Sequence, residues 1–159
     1  MSTLTRHGVA VLRYDDRGVG RSTGDFAAAT SADFGTATAA AVRCLLKRAE
    51  IDRKAIGLVG HSEGGMVAPI AAAGNDDVRF VILLAALKAP EASRELLVQR
   101  LANEWFRYFL QYQPAASLSR IHVPVLAVNR SLDRQVMSPW NSLSVPAPVA
   151  SSPVTLAGN

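Results

Sequence analysis

Hydrophobic positions along the chain fall into short apolar runs that alternate with longer stretches of helical spacing. Residues 8–14, Gly8-Val9-Ala10-Val11-Leu12-Arg13-Tyr14, form a β-branched run that ends in the Gly-rich, charged segment 15–22. This predicts a buried strand followed by a loop. Over 31–50, Phe34, Ala37, Ala41, Leu45 and Arg48 recur at helical spacing, with Ser31 as N-cap and Asp33 in the first turn, where the helix dipole favours an anion. A second buried strand is expected over 55–60 and a third over 78–84. Between them, 64–73 is small and apolar and predicts a helix packed closely on a sheet, bent at Pro69. The stretch 91–113 carries Leu96, Leu101, Trp105, Phe106, Phe109 and Tyr112 on one amphipathic helix with a single break. A fourth strand is expected over 121–129. Strands alternating with helices, with few polar residues inside the strands, predict a parallel sheet covered on both faces, an α/β fold.

Composition narrows the function more than the fold. The chain has 159 residues, 49% hydrophobic and 19% charged, with a formal charge of +4 from 17 Lys+Arg against 13 Asp+Glu. The length fits one domain with a real core. The basic residues are scattered, without a like-charged block or interleaved aromatics, so no nucleic-acid surface is expected. No run reaches the roughly 18 apolar residues of a membrane span, so no membrane partner is expected. The segment before His7 has no apolar signal-peptide core, which points to the cytoplasm. Cys44 is the only cysteine, which excludes an internal disulfide, and its apolar helical context predicts a small buried hydrophobe. The three histidines, His7, His61 and His122, are dispersed and there is no thiolate cluster, so no metal site is expected.

One motif carries chemistry. Gly60-His61-Ser62-Glu63-Gly64 is a G-x-S-x-G sequence lying between a predicted strand and a predicted helix. Glycines at 60 and 64 remove side chains that would collide as strand passes into helix, and Gly65 adds room. The turn exposes the Ser62 hydroxyl at the carboxyl edge of the sheet as a nucleophile. The Glu63 backbone N–H is then placed to stabilise the oxyanion that forms on attack at a carbonyl. Acyl-serine chemistry needs no cofactor, and none is expected. A nucleotide-binding reading fails: Gly18-Val19-Gly20 lacks the third glycine, and no phosphate-loop motif occurs.

Two stretches extend this reading to a family. Residues 12–24, Leu-Arg-Tyr-Asp-Asp-Arg-Gly-Val-Gly-Arg-Ser-Thr-Gly, and residues 51–66, which contain the G-x-S-x-G motif, resemble bacterial α/β-hydrolases of the carboxylesterase type. The resemblance runs from about residue 8 to about residue 136 and covers the middle portion of that fold. It implies a partial α/β-hydrolase domain over 1–137, a mostly parallel sheet of about four strands flanked by helices, and a Pro/Ser-rich tail over 138–159 that is extended or disordered. It implies that Asp133, after the strand 121–129, is the acid that orients the catalytic imidazole. Asp15, Asp16 and Arg17 then hold the loop after the first strand. A helical lid falls at about 89–115, with Trp105, Phe106 and Phe109 either lining an acyl pocket or simply packing on the sheet.

The family order is serine, acid, histidine, and no histidine follows Asp133. His122 begins its strand and His7 precedes its own, which places both at the wrong sheet edge, while His61 should point away from the Ser62 hydroxyl. The family's first strands, and the loop that supplies the second oxyanion N–H, have no counterpart in the sequence, so the chain is expected to be a shortened product, a fragment or a minimal variant. The leading expectation is a serine hydrolase acting on small carboxylic esters, weakened by the missing imidazole, whose loss in such triads lowers turnover about 10⁶-fold. The competing expectation is an impaired remnant that binds a partner or self-associates through an exposed sheet edge.

Overall fold

The computed structural model describes residues 3–84, 104–128 and 149–150. Its elements are α1 (Thr3–Arg6), α2 (Ser31–Leu46), β1 (Gly57–His61), α3 (Gly64–Ala72), β2 (Phe80–Leu84), α4 (Glu104–Gln111), α5 (Pro114–Leu118), β3 (Val125–Val128) and β4 (Val149–Ala150). The strands form one sheet in the order β1-β2-β3-β4, with every pair parallel. This is the expected α/β architecture, a partial fold in which sequence order and spatial order coincide.

The register assigns the two faces. Leu58 pairs with Val81 and Gly60 with Leu83, while Val81 pairs with Val125 and Leu83 with Ala127, so these residues share one face. Helix α3 packs on that face, and α2 and α5 pack on α3. The core follows: Val42 of α2, Ile56, Ala68 and Ala72 of α3, Val78, Val81, Leu83 and Val125 are all buried together. Burying each of the larger aliphatic side chains stabilises the fold by about 1.5–3 kcal/mol. Small residues on α3 let the helix lie close on the sheet, and Pro69 sits buried within it. The opposite face is barer than a sheet covered on both sides. Among the described residues Val59 is 58% and Phe80 37% exposed, and Ile82 and Leu84 are half-buried.

Three further expectations change. Residues 8–14 form no strand, Gly8 lies in a turn with φ of +79°, and Val9, Val11, Leu12 and Tyr14 are exposed. A run this apolar becomes a buried strand only if another strand takes up its backbone groups, and among the described residues β1, at the edge of the sheet, pairs with β2 alone. The segment is tethered instead by the Tyr14 hydroxyl, 2.7 Å from Thr38 Oγ1. Helix α2 is capped by Thr30, not Ser31. Thr30 Oγ1 accepts from the Asp33 N–H, and the Asp33 carboxylate accepts from the Thr30 N–H, a reciprocal capping box. Cys44 is exposed, not buried. Phe34 and Val42 define the inward stripe of α2, and Cys44 falls outside it.

The predicted strand 121–129 begins only at Val125, because Pro124 cannot donate to the ladder, although its carbonyl accepts from Val81 N; Asn129 lies outside the described residues. Of the lid-like stretch, α4, the turn after it and α5 are described. Asp133 lies outside the described residues, as does most of the Pro/Ser-rich tail, apart from β4, where Val149 and Ala150 pair with Val125 and Leu126. No helix among the described residues is long and apolar enough to cross a membrane.

Candidate active site

Strand β1 delivers the chain to the carboxyl edge of the sheet, and the direction must then reverse within two residues to enter α3. Ser62 occupies that corner with φ of +57°, the one non-glycine residue among those described with a left-handed backbone. A side chain in that region is strained by about 1–2 kcal/mol. The corner is held by bonds on both sides. The Ser62 N–H donates to Leu84 O at the end of β2 (3.1 Å), and the Ser62 carbonyl accepts from Gly65 N (2.9 Å). The nucleophile candidate is thus stitched to the neighbouring strand before the helix begins.

Close approach explains one motif glycine and not the other. A Cβ on Gly60 would lie 2.0 Å from the Gly64 carbonyl oxygen and 2.5 Å from its carbon. No side chain fits between strand end and helix start there. A Cβ on Gly64 meets nothing within 4 Å among the described residues. The collision expected at both positions is therefore confined to Gly60.

Helix α3 starts with its N–H groups directed at the corner. Glu63, its N-cap residue, makes no side-chain capping bond, and its carbonyl accepts from the N–H groups of Met66 (2.8 Å) and Val67 (3.2 Å). The Glu63 N–H has no hydrogen-bond acceptor among the described residues, as the first N–H groups of a helix have no partner within it. Its carboxylate is engaged elsewhere: Oε1 accepts from Ser31 Oγ (2.9 Å) and from Trp105 Nε1 (2.5 Å). Neither partner was singled out as such from the sequence. The signal for Thr30 as cap, a threonine three residues before Asp33, was there to read. It would have freed Ser31, the fully buried first residue of α2, for another role.

The aromatic helix packs behind the corner. Phe106 and Phe109 are buried against Met66 of α3, with Trp105, Leu110 and Tyr112 around them. Trp105 stacks on Phe109 with ring centroids 5.3 Å apart. Of the three aromatics expected in a lid, Phe106 and Phe109 are thus buried packing residues, and Trp105 is half-buried and bonded to Glu63. Burial pushes the Tyr112 and Tyr108 phenols above their ordinary range, with the charge of Asp33 adding to the effect at Tyr108. The Asp33 carboxyl is held below the ordinary carboxylate range, first by the Thr30 N–H and then by the Thr30 hydroxyl.

The loop before α2 is built as a backbone scaffold. Asp15 Oδ2 accepts from Arg21 N, its carbonyl accepts from Ser22 Oγ (2.7 Å), and the Asp16 carbonyl accepts from Val19 N. The histidines do not converge on Ser62. His61 is exposed on the sheet face opposite α3. His122 precedes β3 and so lies toward its amino end, the opposite end of the strand from the carboxyl edge. His7 follows α1 in the turn that leads into residues 9–14.

The family described as serine aminopeptidase, S33 matches residues 1–140. The chain belongs to this α/β-hydrolase family. In fold, this S33 hydrolase is similar to Est1E from Butyrivibrio proteoclasticus, solved with ferulic acid bound, at a TM-score of 0.69 and 22% identity over 95% of this chain and 70% of the other. It is also similar to dipeptidyl peptidase 4 of Porphyromonas gingivalis (TM-score 0.56, 16% identity, 77% of this chain and 19% of the other). An acetyl xylan esterase from Paenibacillus sp. R4 resembles it as well (TM-score 0.53, 16% identity, 75% and 45%). The S33 chain therefore spans seven-tenths of the first of these structures and less than half of the other two. No protein of curated function matches it in sequence.

Proposed function

We propose that this S33-family chain is a serine hydrolase of carboxylic esters that works through an acyl-Ser62 intermediate. The observation that carries the reading is the left-handed backbone of Ser62 between β1 and α3. A folded chain tolerates such strain where the geometry it creates is used, and here it lifts a hydroxyl clear of the strand end. Ser62 Oγ attacks the ester carbonyl, and the oxyanion is met by the Glu63 N–H. Collapse expels the alcohol, and water then releases the acid and restores Ser62. Asp133 is the acid that would orient an imidazole, by its place after β3. No described hydrogen bond joins a histidine to Ser62, so turnover by this chain is expected to be slow. A serine site without its base retains about 10³–10⁴-fold over water from binding and the oxyanion donor. Small-molecule esters are favoured over peptides because the less basic alcohol leaves without full protonation by an imidazole.

The test is twofold. A fluorophosphonate should add to the intact chain once, and Ser62→Ala should abolish the adduct. Short-chain nitrophenyl esters should be hydrolysed faster by the wild type than by Ser62→Ala. Equal rates and equal labelling would remove Ser62 from the chemistry.

A second reading rests on β1, which among the described residues is paired on one side only, with the exposed Val59 on it and the exposed apolar run 9–14 outside the sheet. Such an edge supports self-association through strand pairing. Sizing chromatography at two concentrations decides: a monomer at both counts against it.

A further inference from the structure

We infer that Glu63 is a positioning residue whose carboxylate latches the aromatic helix α4 to the nucleophile corner. Three elements meet at one oxygen atom. Glu63 Oε1 accepts from Trp105 Nε1 of α4 and from Ser31 Oγ at the start of α2, while the Glu63 backbone forms the first turn of α3. Residue 63 sits directly beside the strained Ser62, so a shift of its side chain is felt by the N–H that faces the reaction. The carboxylate is not spent on a local cap, which is the ordinary use of an acidic group at a helix start. It reaches instead across the molecule to residues 32 and 42 positions away. Both donors are themselves constrained. Ser31 is fully buried at the capped start of α2, and Trp105 is stacked on Phe109 within the cluster anchored by Met66 of α3. A flexible side chain held by two fixed donors transmits their positions. The helix cannot swing away without breaking a charge-assisted bond, and the corner cannot relax without dragging the helix.

The latch deepens the reading of Ser62 as nucleophile and rests on it only for its effect on turnover. Its mechanical content is independent of catalysis. Hydrogen exchange of the full chain should therefore be measured alongside fluorophosphonate labelling for Glu63→Ala, Glu63→Gln and Trp105→Phe. Glutamine keeps an oxygen acceptor at the same reach, and phenylalanine keeps the stacked ring but removes the donor. Glu63→Ala and Trp105→Phe should each speed exchange over 104–111 at least about tenfold, the factor expected from losing one hydrogen bond to a charged group, while Glu63→Gln stays within a few-fold of wild type. Labelling of Ser62 should slow in the same order. Unchanged exchange over 104–111 in Trp105→Phe overturns the latch, and that variant decides the matter even if Glu63→Ala fails to fold. Faster exchange that Gln does not rescue also overturns it, because it assigns the effect to folding rather than to the acceptor. Faster exchange with Gln rescue, in a chain that never labels, upholds the latch and defeats the proposed hydrolase activity.

Discussion

The two glycines of the motif should respond oppositely to alanine. At Gly60 the new methyl carbon would stand 2.0 Å from the Gly64 oxygen, 2.5 Å from its carbon and 3.0 Å from Gly65 N. A carbon–oxygen contact settles at about 3.3–3.6 Å, so strand end and helix start must part by more than about 1 Å. The obstacle is backbone on both sides, and Gly60 is buried, so no side chain can rotate away. Overpacking of this kind costs about 1–3 kcal/mol, and the rigid surroundings put Gly60→Ala at or above the upper figure. For a chain of this length that lowers Tm by about 6–12 °C. A displacement of about 1 Å at the reacting centre also slows chemistry about 10²-fold. Gly64→Ala meets no atom within 4 Å among the described residues and gains helix propensity, so its stability should rise by about 0–1 kcal/mol. Thermal unfolding by circular dichroism and the fluorophosphonate labelling rate measure both variants. Equal losses in the two, or a Gly60→Ala chain as stable and reactive as wild type, would refute the account of the corner as a close approach at Gly60.

Thr30→Ala removes the cap of α2 and should destabilise the chain by about 0.5–2 kcal/mol in urea unfolding. Because Asp33 is held below its unfolded pKa, its contribution is present above about pH 4 and is lost as pH falls through the folded value; Thr30→Ala should flatten that acid limb in part, since it removes the hydroxyl and keeps the Thr30 N–H. Tyr112 behaves in the opposite sense: its phenol is held above the unfolded value of about 10, so its contribution is complete below pH 10 and is lost as pH rises above it. Tyr112→Phe should therefore lose stability less steeply than wild type in alkaline unfolding titrations. Cys44 should react with a thiol reagent in the native chain to one equivalent, and a chain that reacts only when denatured would contradict its exposure.

The pattern of the chain made the sheet and the corner legible, because both are local. Strand runs of β-branched residues ended in turn residues, and the G-x-S-x-G spacing called for a strand, a tight turn and a helix, which β1, Ser62 and α3 supply. What the pattern could not show depends on neighbours far along the chain. Residues 8–14 have the composition of a strand, yet pairing belongs to two segments and not to one. The two motif glycines look equivalent in sequence, and only the path of the backbone separates them. Helical spacing placed Cys44 among apolar residues without revealing which stripe turns inward. The motif drew attention to Glu63 only through its backbone N–H, whereas its carboxylate partners, Ser31 and Trp105, come from segments no local rule connects.

The bond from the Ser62 N–H to the Leu84 carbonyl also bears on the order of folding. It closes only after α3 has crossed over and β2 has docked beside β1, so the local sequence cannot hold the serine in its strained conformation alone. Non-local parallel pairing of this kind is a slow step, and the corner can be completed only after it. A reagent that reads the geometry of Ser62 therefore reports the arrival of the neighbouring strand. During refolding, reactivity should lag behind the recovery of helix, with the interval between them measuring the assembly of the sheet.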